Sequence, residues 1–117
     1  MKKHAYLIMI HNDFYIFERL LKLIDDKRND IYVHVDKKVK DFNFQKYSDV
    51  VKKANIIFTK RLNVKWGDYS QIRCELLLME TAINNGSYEY YHLLSGVDLP
   101  LKSQDIIHDF FNKNKYN

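Results

Sequence analysis

Four groups of polar and aromatic residues stand where apolar runs end or where a helix begins, positions at which ligand-binding side chains are common. The groups are His11-Asn12-Asp13, His34-Val35-Asp36-Lys37, Trp66-Gly67-Asp68-Tyr69-Ser70 and Ser95-Gly96-Val97-Asp98. An acid at the tip of a buried strand needs a partner, because an unpaired buried carboxylate is costly. We therefore predict that Asp36 and Asp98 hold a ligand.

Each group also has a purely structural interpretation. Asp13 and Asp68 fit helix N-caps as well as ligand contacts. His34 and His92 lie inside apolar runs and fit hydrogen-bonded core residues better than ligands, and Trp66 fits packing better than stacking. The functional interpretation therefore depends on the convergence of the four groups at one place.

The sequence lacks the motifs of several enzyme classes. Its three glycines, Gly67, Gly86 and Gly96, cannot form a dinucleotide fingerprint or a phosphate-binding P-loop. No group of cysteines and histidines has zinc-ligand spacing, and the lone Cys74 falls in a predicted helix with no base nearby in sequence. Dehydrogenases, P-loop enzymes and cysteine catalysis are therefore disfavoured.

Composition predicts a single globular domain over residues 1–117. The chain has 46% hydrophobic residues, enough for one core, and a net charge of +4. Its lysines are scattered, which suits phosphate-bearing ligands or peripheral contact with an anionic membrane and argues against nucleic acid. With one cysteine and no apolar run near the roughly 18 residues of a membrane span, we expect a cytoplasmic location.

Four apolar runs predict strands, at residues 4–11, 31–36, 54–58 and 88–95. Helical patterns separate them, which predicts an α/β fold with a mostly parallel sheet and helices on both faces. We predict the spatial order 3-2-1-4. The tips after His11, Asp36 and Ser95 then surround one crevice, because ligands of such sheets bind at the carboxyl ends of the strands.

The helices are predicted from apolar spacing and capping residues. The first follows Asn12 or Asp13, and its buried stripe is Phe17, Leu20, Leu21 and Ile24. Residues 41–53 allow a short irregular helix. After Pro100, Ser103 can cap a last helix with four apolar residues, Ile106, Ile107, Phe110 and Phe111.

A long helix is predicted between the third and fourth strands. Asp68 and Gln71 have the spacing of a capping box at its start. Asn84-Asn85-Gly86 tolerates positive φ at its end. Its predicted buried stripe is Ile72, Leu76, Met79 and Ile83.

Four motifs, in their order and spacing over residues 4–111, are shared with a known family. They are Ala5-Tyr6-Leu7-Ile8 with His11, His34-Val35-Asp36, Val64 with Trp66-Gly67 and Ser70, and the run from Tyr91 to Leu101 followed by Asp105-Ile106. The sequence thereby resembles the core-2/I-branching β-1,6-N-acetylglucosaminyltransferases and related peptide xylosyltransferases, which form glycosyltransferase family 14.

The resemblance implies the Rossmann-like first half of a GT-A fold. It also implies an inverting enzyme that transfers a sugar from a UDP-sugar, in particular UDP-N-acetylglucosamine, to a glycan acceptor. Asp36 would contact the uridine and His11 would border the same pocket. The remaining site residues it implies are Trp66, Gly67 and Ser70, which would close over the nucleotide, and Ser95, Gly96 and Asp98, which fall where other GT-A enzymes carry Asp-x-Asp.

The strand tip at Asp98 offers one carboxylate where Asp-x-Asp offers two, and hard divalent cations prefer several oxygen ligands. We therefore expect no metal or other cofactor, in line with the resemblance. The family's catalytic base and cationic clamp would lie beyond Asn117, so the chain is interpreted as the donor-binding, N-terminal part of a longer enzyme, with exposed apolar surface that could drive self-association. The alternative is a non-catalytic nucleotide or sugar-nucleotide binding module that assembles with another chain.

Overall fold

A parallel sheet with helices on both faces forms the described part of the molecule. The computed structural model describes residues 3–95, with only the backbone of Ser95, so Gly96 and Asp98 and the predicted last helix lie outside the described residues. Along the chain the elements are β1 His4–Ile10, α1 Phe14–Ile24, β2 Asn29–Val35, α2 Phe44–Val50, β3 Asn55–Phe58, α3 Tyr69–Asn85 and β4 Tyr90–Ser95. All strand pairs are parallel and the order is β3-β2-β1-β4, which confirms the predicted order 3-2-1-4.

β1 is buried on both sides, and its alternate residues enter two separate apolar cores. Tyr6, Ile8 and Ile10 pack with α1 on one face of the sheet. Leu7 and Met9 pack with α3 on the other face. A strand covered on both faces reads as a continuous apolar run, which is why the sequence showed it clearly.

The buried stripe of α1 is the predicted one, Phe17, Leu20, Leu21 and Ile24. Asp13 is the N-cap residue of α1, one of the two predicted, but its side chain does not cap the helix. Asp13 precedes the helix with a left-handed backbone (φ 53°) and makes no side-chain capping bond. The main-chain carbonyl of Asp13 instead accepts the amides of Ile16 and Phe17.

The predicted buried stripe of α3 is wrong. The residues that α3 buries are smaller on average, namely Cys74, Leu78 and Ala82. Small side chains let a helix lie close to a sheet. The predicted residues instead face outward and are 38–59% exposed, namely Ile72, Leu76, Met79 and Ile83. The helix also ends with Gly86 in an extended conformation (φ −176°) and not with the predicted positive φ.

One carboxylate joins the end of α1 to the turn that leads into β3. Asp25 accepts the main-chain amides of Lys52, Lys53 and Ala54 at 2.7, 2.8 and 2.9 Å. Because three consecutive donors are aimed at one side chain, the approach to β3 is fixed by a residue 27 to 29 positions earlier.

A buried carboxylate, Asp30, organises the amino-terminal edge of the sheet. Asp30 accepts hydrogen bonds from Lys3 Nζ at 2.9 Å, Asn55 Nδ2 at 3.0 Å and Tyr88 Oη at 2.6 Å. Burial by itself would raise the pKa of Asp30, but these bonds outweigh it and hold the pKa below its ordinary value. Burial and the bonds to Asp30 and Tyr32 raise the pKa of Tyr88, so its hydroxyl stays protonated and donates.

Candidate functional site

The carboxyl ends of β1, β2 and β4 lie side by side, as the predicted strand order requires. Ile10 pairs with Val35, and the amide of Asp36 donates to the carbonyl of Ile10 at 2.9 Å. His11 and Asp36 therefore follow neighbouring strands at one edge. The backbone of Ser95 pairs with Met9 at the same edge, while Gly96 and Asp98 lie beyond the described residues.

Asp36 lies beneath this edge and is 2% exposed. Its carboxylate accepts the amide of Lys38 at 3.0 Å, the Nζ of Lys38 at 2.9 Å and, at 3.5 Å, the amide of Val64. Burial would raise the pKa of Asp36, but the bonds from Lys38 and Val64 and the charge of Lys38 lower it overall, so the carboxylate is ionised. Asp36 thus joins the turn after β2 to the loop before α3.

Two basic residues that the sequence did not single out complete this junction. The Nζ of Lys38 also donates to Asn63 Oδ1 at 3.0 Å and to the carbonyl of Val64. The guanidinium of Arg61 donates to the carbonyls of Val35 (3.1 Å), Asp36 (2.8 Å) and Val39. Lys38 had a visible signal, a cation two residues after a buried acid, whereas Arg61 stands in an irregular loop and had none.

His34 and His92 make structural contacts, as their positions inside apolar runs suggested. His34 is buried, and its Nε2 accepts the amide of Leu62 at 2.8 Å. Burial lowers the pKa of His34 despite the nearby charge of Asp36, so the ring is a neutral acceptor. His92 contacts His4 through ring nitrogens 2.9 Å apart and stacks on Tyr6.

An exposed aromatic pair stands above the junction. The rings of His11 and Trp66 are 4.8 Å apart and tilted by 51°. Trp66 is 44% exposed, so nearly half of its surface remains open to solvent. The structure therefore brings together two of the predicted site residues and leaves aromatic surface available to a planar ligand.

Trp66 is carried by a turn whose other predicted residues make local bonds. Ser70 Oγ accepts the amide of Lys65 at 2.8 Å, and the amide of Gly67 donates to Gln71 Oε1 at 2.8 Å. Asp68 caps α3 by accepting the amide of Ser70 at 3.4 Å. The predicted capping box is thus shifted, because Gln71 returns to Gly67 and not to Asp68.

Replacing Gly67 with alanine is expected to lower the free energy of unfolding by about 1–2 kcal/mol. Gly67 has φ +81°, and a Cβ there would meet no atom within 4 Å, so the cost is backbone strain alone. Asparagine tolerates positive φ better, so Gly67→Asn should recover part of the loss in urea denaturation. Equal stability of the wild type and the alanine variant would show that the turn does not need a left-handed residue.

The described residues contain no group of three or more histidine, cysteine, aspartate and glutamate side chains placed to hold a metal ion. The prediction about Asp98 and metal remains a prediction, because that residue lies outside them. Among residues 3–95, no helix is both long and apolar enough to cross a membrane.

Fold and site together define a Rossmann-like α/β domain with an exposed aromatic pair at the carboxyl edge of its sheet. A family model described as Core-2/I-Branching enzyme matches residues 4–117. The chain belongs to this family, which confirms the resemblance seen in its motifs.

Individual relatives agree with this membership. The chain is 30% identical over 106 residues to a human N-acetyllactosaminide β-1,6-N-acetylglucosaminyl-transferase. It is 29% identical over 102 residues to a rat β-1,3-galactosyl-O-glycosyl-glycoprotein β-1,6-N-acetylglucosaminyltransferase 3. Each match covers 85% of this chain but only 25% and 23% of the relative, so the chain spans about a quarter of their length.

Proposed function

We propose that this chain is the donor-binding part of a glycosyltransferase that transfers N-acetylglucosamine from UDP-N-acetylglucosamine to a glycan acceptor. Family membership supports the reaction class, and both relatives are N-acetylglucosaminyltransferases by name, which supports the sugar. The structural observation that carries the proposal is the exposed His11–Trp66 pair at the sheet edge where such folds bind ligands.

In this proposal the uracil ring stacks on Trp66 and borders His11. Aromatic side chains bind bases by stacking, and a half-exposed indole can provide that surface without unfolding the core. The carboxylate of Asp36 is almost fully buried, so it supports the proposed uracil site by holding Lys38 and the loop at Val64 in place. Direct contact between Asp36 and the uridine remains part of the proposal.

The diphosphate requires positive charge, which the exposed Lys37 and Lys65 can supply next to Asp36 and Trp66 in the chain. Ser95, Gly96 and Asp98 are proposed to border the sugar without a bound metal. We propose that transfer inverts the anomeric carbon and that residues beyond Asn117 supply the base. We also propose a cytoplasmic location, with peripheral membrane contact through the scattered lysines.

Titration of UDP into the purified chain tests donor binding, because Trp66 is the single tryptophan and reports through its fluorescence. We expect a saturable change, and we expect Trp66→Ala to weaken UDP affinity by about 5- to 100-fold in calorimetry. Tyr15→Ala is the matched control, since Tyr15 is an exposed aromatic residue on α1.

Two further arms of the titration separate the components of the proposal. UDP affinity should be unchanged by EDTA, whereas loss of binding would show that a cation is needed. No response to UDP up to millimolar concentration, together with strongly salt-dependent RNA or DNA binding, would overturn the donor-site proposal.

A further inference from the structure

A polar cleft lies between α3 and the loop that follows β3. Its volume is about 290 Å³, close to the lower limit of small-molecule pockets, which is about 300 Å³. Its polar lining consists of Lys60, Tyr69, Arg73 and Glu80. A cleft of this size suits a ligand of about one sugar ring.

The two cations of the cleft have no ionic partner among residues 3–95. Lys3, Arg28 and Lys38 each pair with an acid. Lys60 and Arg73 are exposed, and neither forms an ion pair with a residue in that range. Two unpaired cations that line one cavity favour an anion, and a guanidinium can hold a carboxylate or phosphate through two parallel hydrogen bonds.

The main chain that carries Lys60 is held in place by the neighbouring strand β2. The amide of Thr59 donates to the carbonyl of Val33 at 2.9 Å. The amide of Leu62 donates to His34 Nε2 at 2.8 Å, and the Leu62 side chain packs against the core beneath α3. Because the loop is fixed on both sides of Lys60, a ligand does not have to order the main chain when it binds.

An aromatic ring and a hydrogen-bond acceptor complete the cleft. Tyr69 is 67% exposed and stands one helical turn before Arg73, so both lie on the same face of α3. The electron-rich face of such a ring attracts C–H groups. Glu80 lies about 10 Å of helix beyond Arg73, and its carboxylate can accept hydroxyl hydrogens. These groups match a sugar that carries an acid on one side and hydroxyls on the other.

We propose that this cleft binds an acidic sugar unit of a glycan, a pyranose that carries a carboxylate or a phosphate. The anionic group is argued from Lys60 and Arg73, whereas the choice of a sugar rests also on the proposed glycosyltransferase function. Tyr69 follows Trp66 by three residues, at most about 11 Å of chain. A glycan held in the cleft therefore lies close to the proposed nucleotide site.

Titration of the purified chain with three sugars, followed by ¹⁵N NMR at constant ionic strength, tests the ligand class. The probes are methyl β-D-glucuronide, glucose 6-phosphate and the neutral methyl β-D-glucoside. We expect both acidic sugars to shift amide signals of residues 60–62 and 69–80 and to bind at least about ten-fold more tightly than the glucoside. The tighter acid identifies the preferred group. Equal affinity for the glucoside, or shifts confined to other surfaces, would overturn the proposal.

Substitution of Arg73 tests the cation itself. Arg73→Gln is expected to weaken glucuronide binding about ten-fold, and Arg73→Lys should recover part of it, because the charge returns without the planar fork. Arg19→Gln is the matched control, since Arg19 is an exposed cation on α1 whose guanidinium lies 5.9 Å from the centre of the Tyr15 ring. Circular dichroism should show all three variants folded. Unchanged glucuronide affinity in Arg73→Gln would contradict the assignment.

Titration of UDP into the same variants separates this site from the donor site. Arg73→Gln should leave UDP affinity unchanged. A chain that binds UDP but neither acidic sugar overturns the acidic-sugar site alone, and a chain that binds the acidic sugars but not UDP overturns the donor site alone. Weaker UDP binding in Arg73→Gln would assign Arg73 to the diphosphate and overturn the separate site.

Discussion

Replacing Asp30 with alanine is expected to lower the free energy of unfolding by about 3–5 kcal/mol, because it leaves buried polar partners behind. Lys3, Asn55 and Tyr88 all donate to this carboxylate, and all three lie 25 or more positions away from it in the chain. Their donors would face an apolar methyl group in place of two oxygens. Urea denaturation followed by far-UV circular dichroism measures the loss.

Two further variants test whether the stability loss in Asp30→Ala comes from its hydrogen bonds or would follow the removal of any acid. Asp49→Ala removes an exposed carboxylate on α2 and should cost less than about 0.5 kcal/mol. Tyr88→Phe removes one donor and should cost about 1–3 kcal/mol. A loss for Asp30→Ala no greater than that for Asp49→Ala would contradict the assigned network.

The stability lost in Asp30→Ala is expected to depend on pH. The folded pKa of Asp30 lies below its ordinary value of 3.8, so ionised Asp30 favours the folded state above that value. This contribution is lost as the pH falls through 3.8 and then through the lower folded pKa. The difference between wild type and Asp30→Ala should therefore be constant near neutrality and shrink below about pH 4.

Replacing Asp36 with alanine is expected to lower the free energy of unfolding by about 2–4 kcal/mol and to weaken UDP binding by about ten-fold. The carboxylate holds Lys38, and through it Asn63 and the carbonyl of Val64, so its loss loosens both loops under Trp66. Urea denaturation measures the first effect, and calorimetry with UDP measures the second.

Asp36→Asn is the matched variant, since its amide oxygen can still accept the amide of Lys38 while the charge is lost. We expect it to fall between wild type and alanine in both measurements. Asp49→Ala again serves as the control for the removal of an acid. A large loss of stability with unchanged UDP affinity would assign Asp36 to folding alone and leave Trp66 and His11 as the tested ligand contacts.

The two central strands, β1 and β2, could be predicted from the sequence because they are buried on both faces and therefore appear as continuous apolar runs. His4–Ile10 is such a run. The order of the strands in the sheet follows from crossover rules and from the placement of the polar residues at the strand ends. α1 could also be predicted, since its single apolar stripe, Phe17 to Ile24, leaves no choice of buried face.

α3 could not be predicted in the same way because it has two apolar stripes. Hydrophobicity favoured the larger side chains, among them Leu76 and Ile83, as the buried face. The sheet instead contacts Cys74, Leu78 and Ala82, because close approach depends on the size of the side chain as well as on its polarity. Which stripe meets the sheet is decided by the connection from β3, and that is a property of the whole fold.

The candidate site, too, could be predicted only in part. Positions at strand tips, such as His11 and Asp36, follow from the strand pattern. The bonds that the Val64 amide donates to Asp36, and that Arg61 donates to the carbonyl of Val39, join residues more than 20 positions apart through irregular loops. Spacing in the sequence carries no signal for such contacts, so it located Asp36 but gave no indication that its carboxylate is turned inward.

The three hydrogen bonds that Asp25 accepts from the turn before β3, here called the Asp25 clamp, also bear on the order in which the chain folds. β3 is four residues long and lies at the edge of the sheet, and short edge strands have little stability of their own. The clamp exists only once the end of α1 is in place, because that is where its carboxylate is held. Closure of a loop of nearly 30 residues costs conformational entropy, so we expect β3 to dock after the β1–α1–β2 unit has formed.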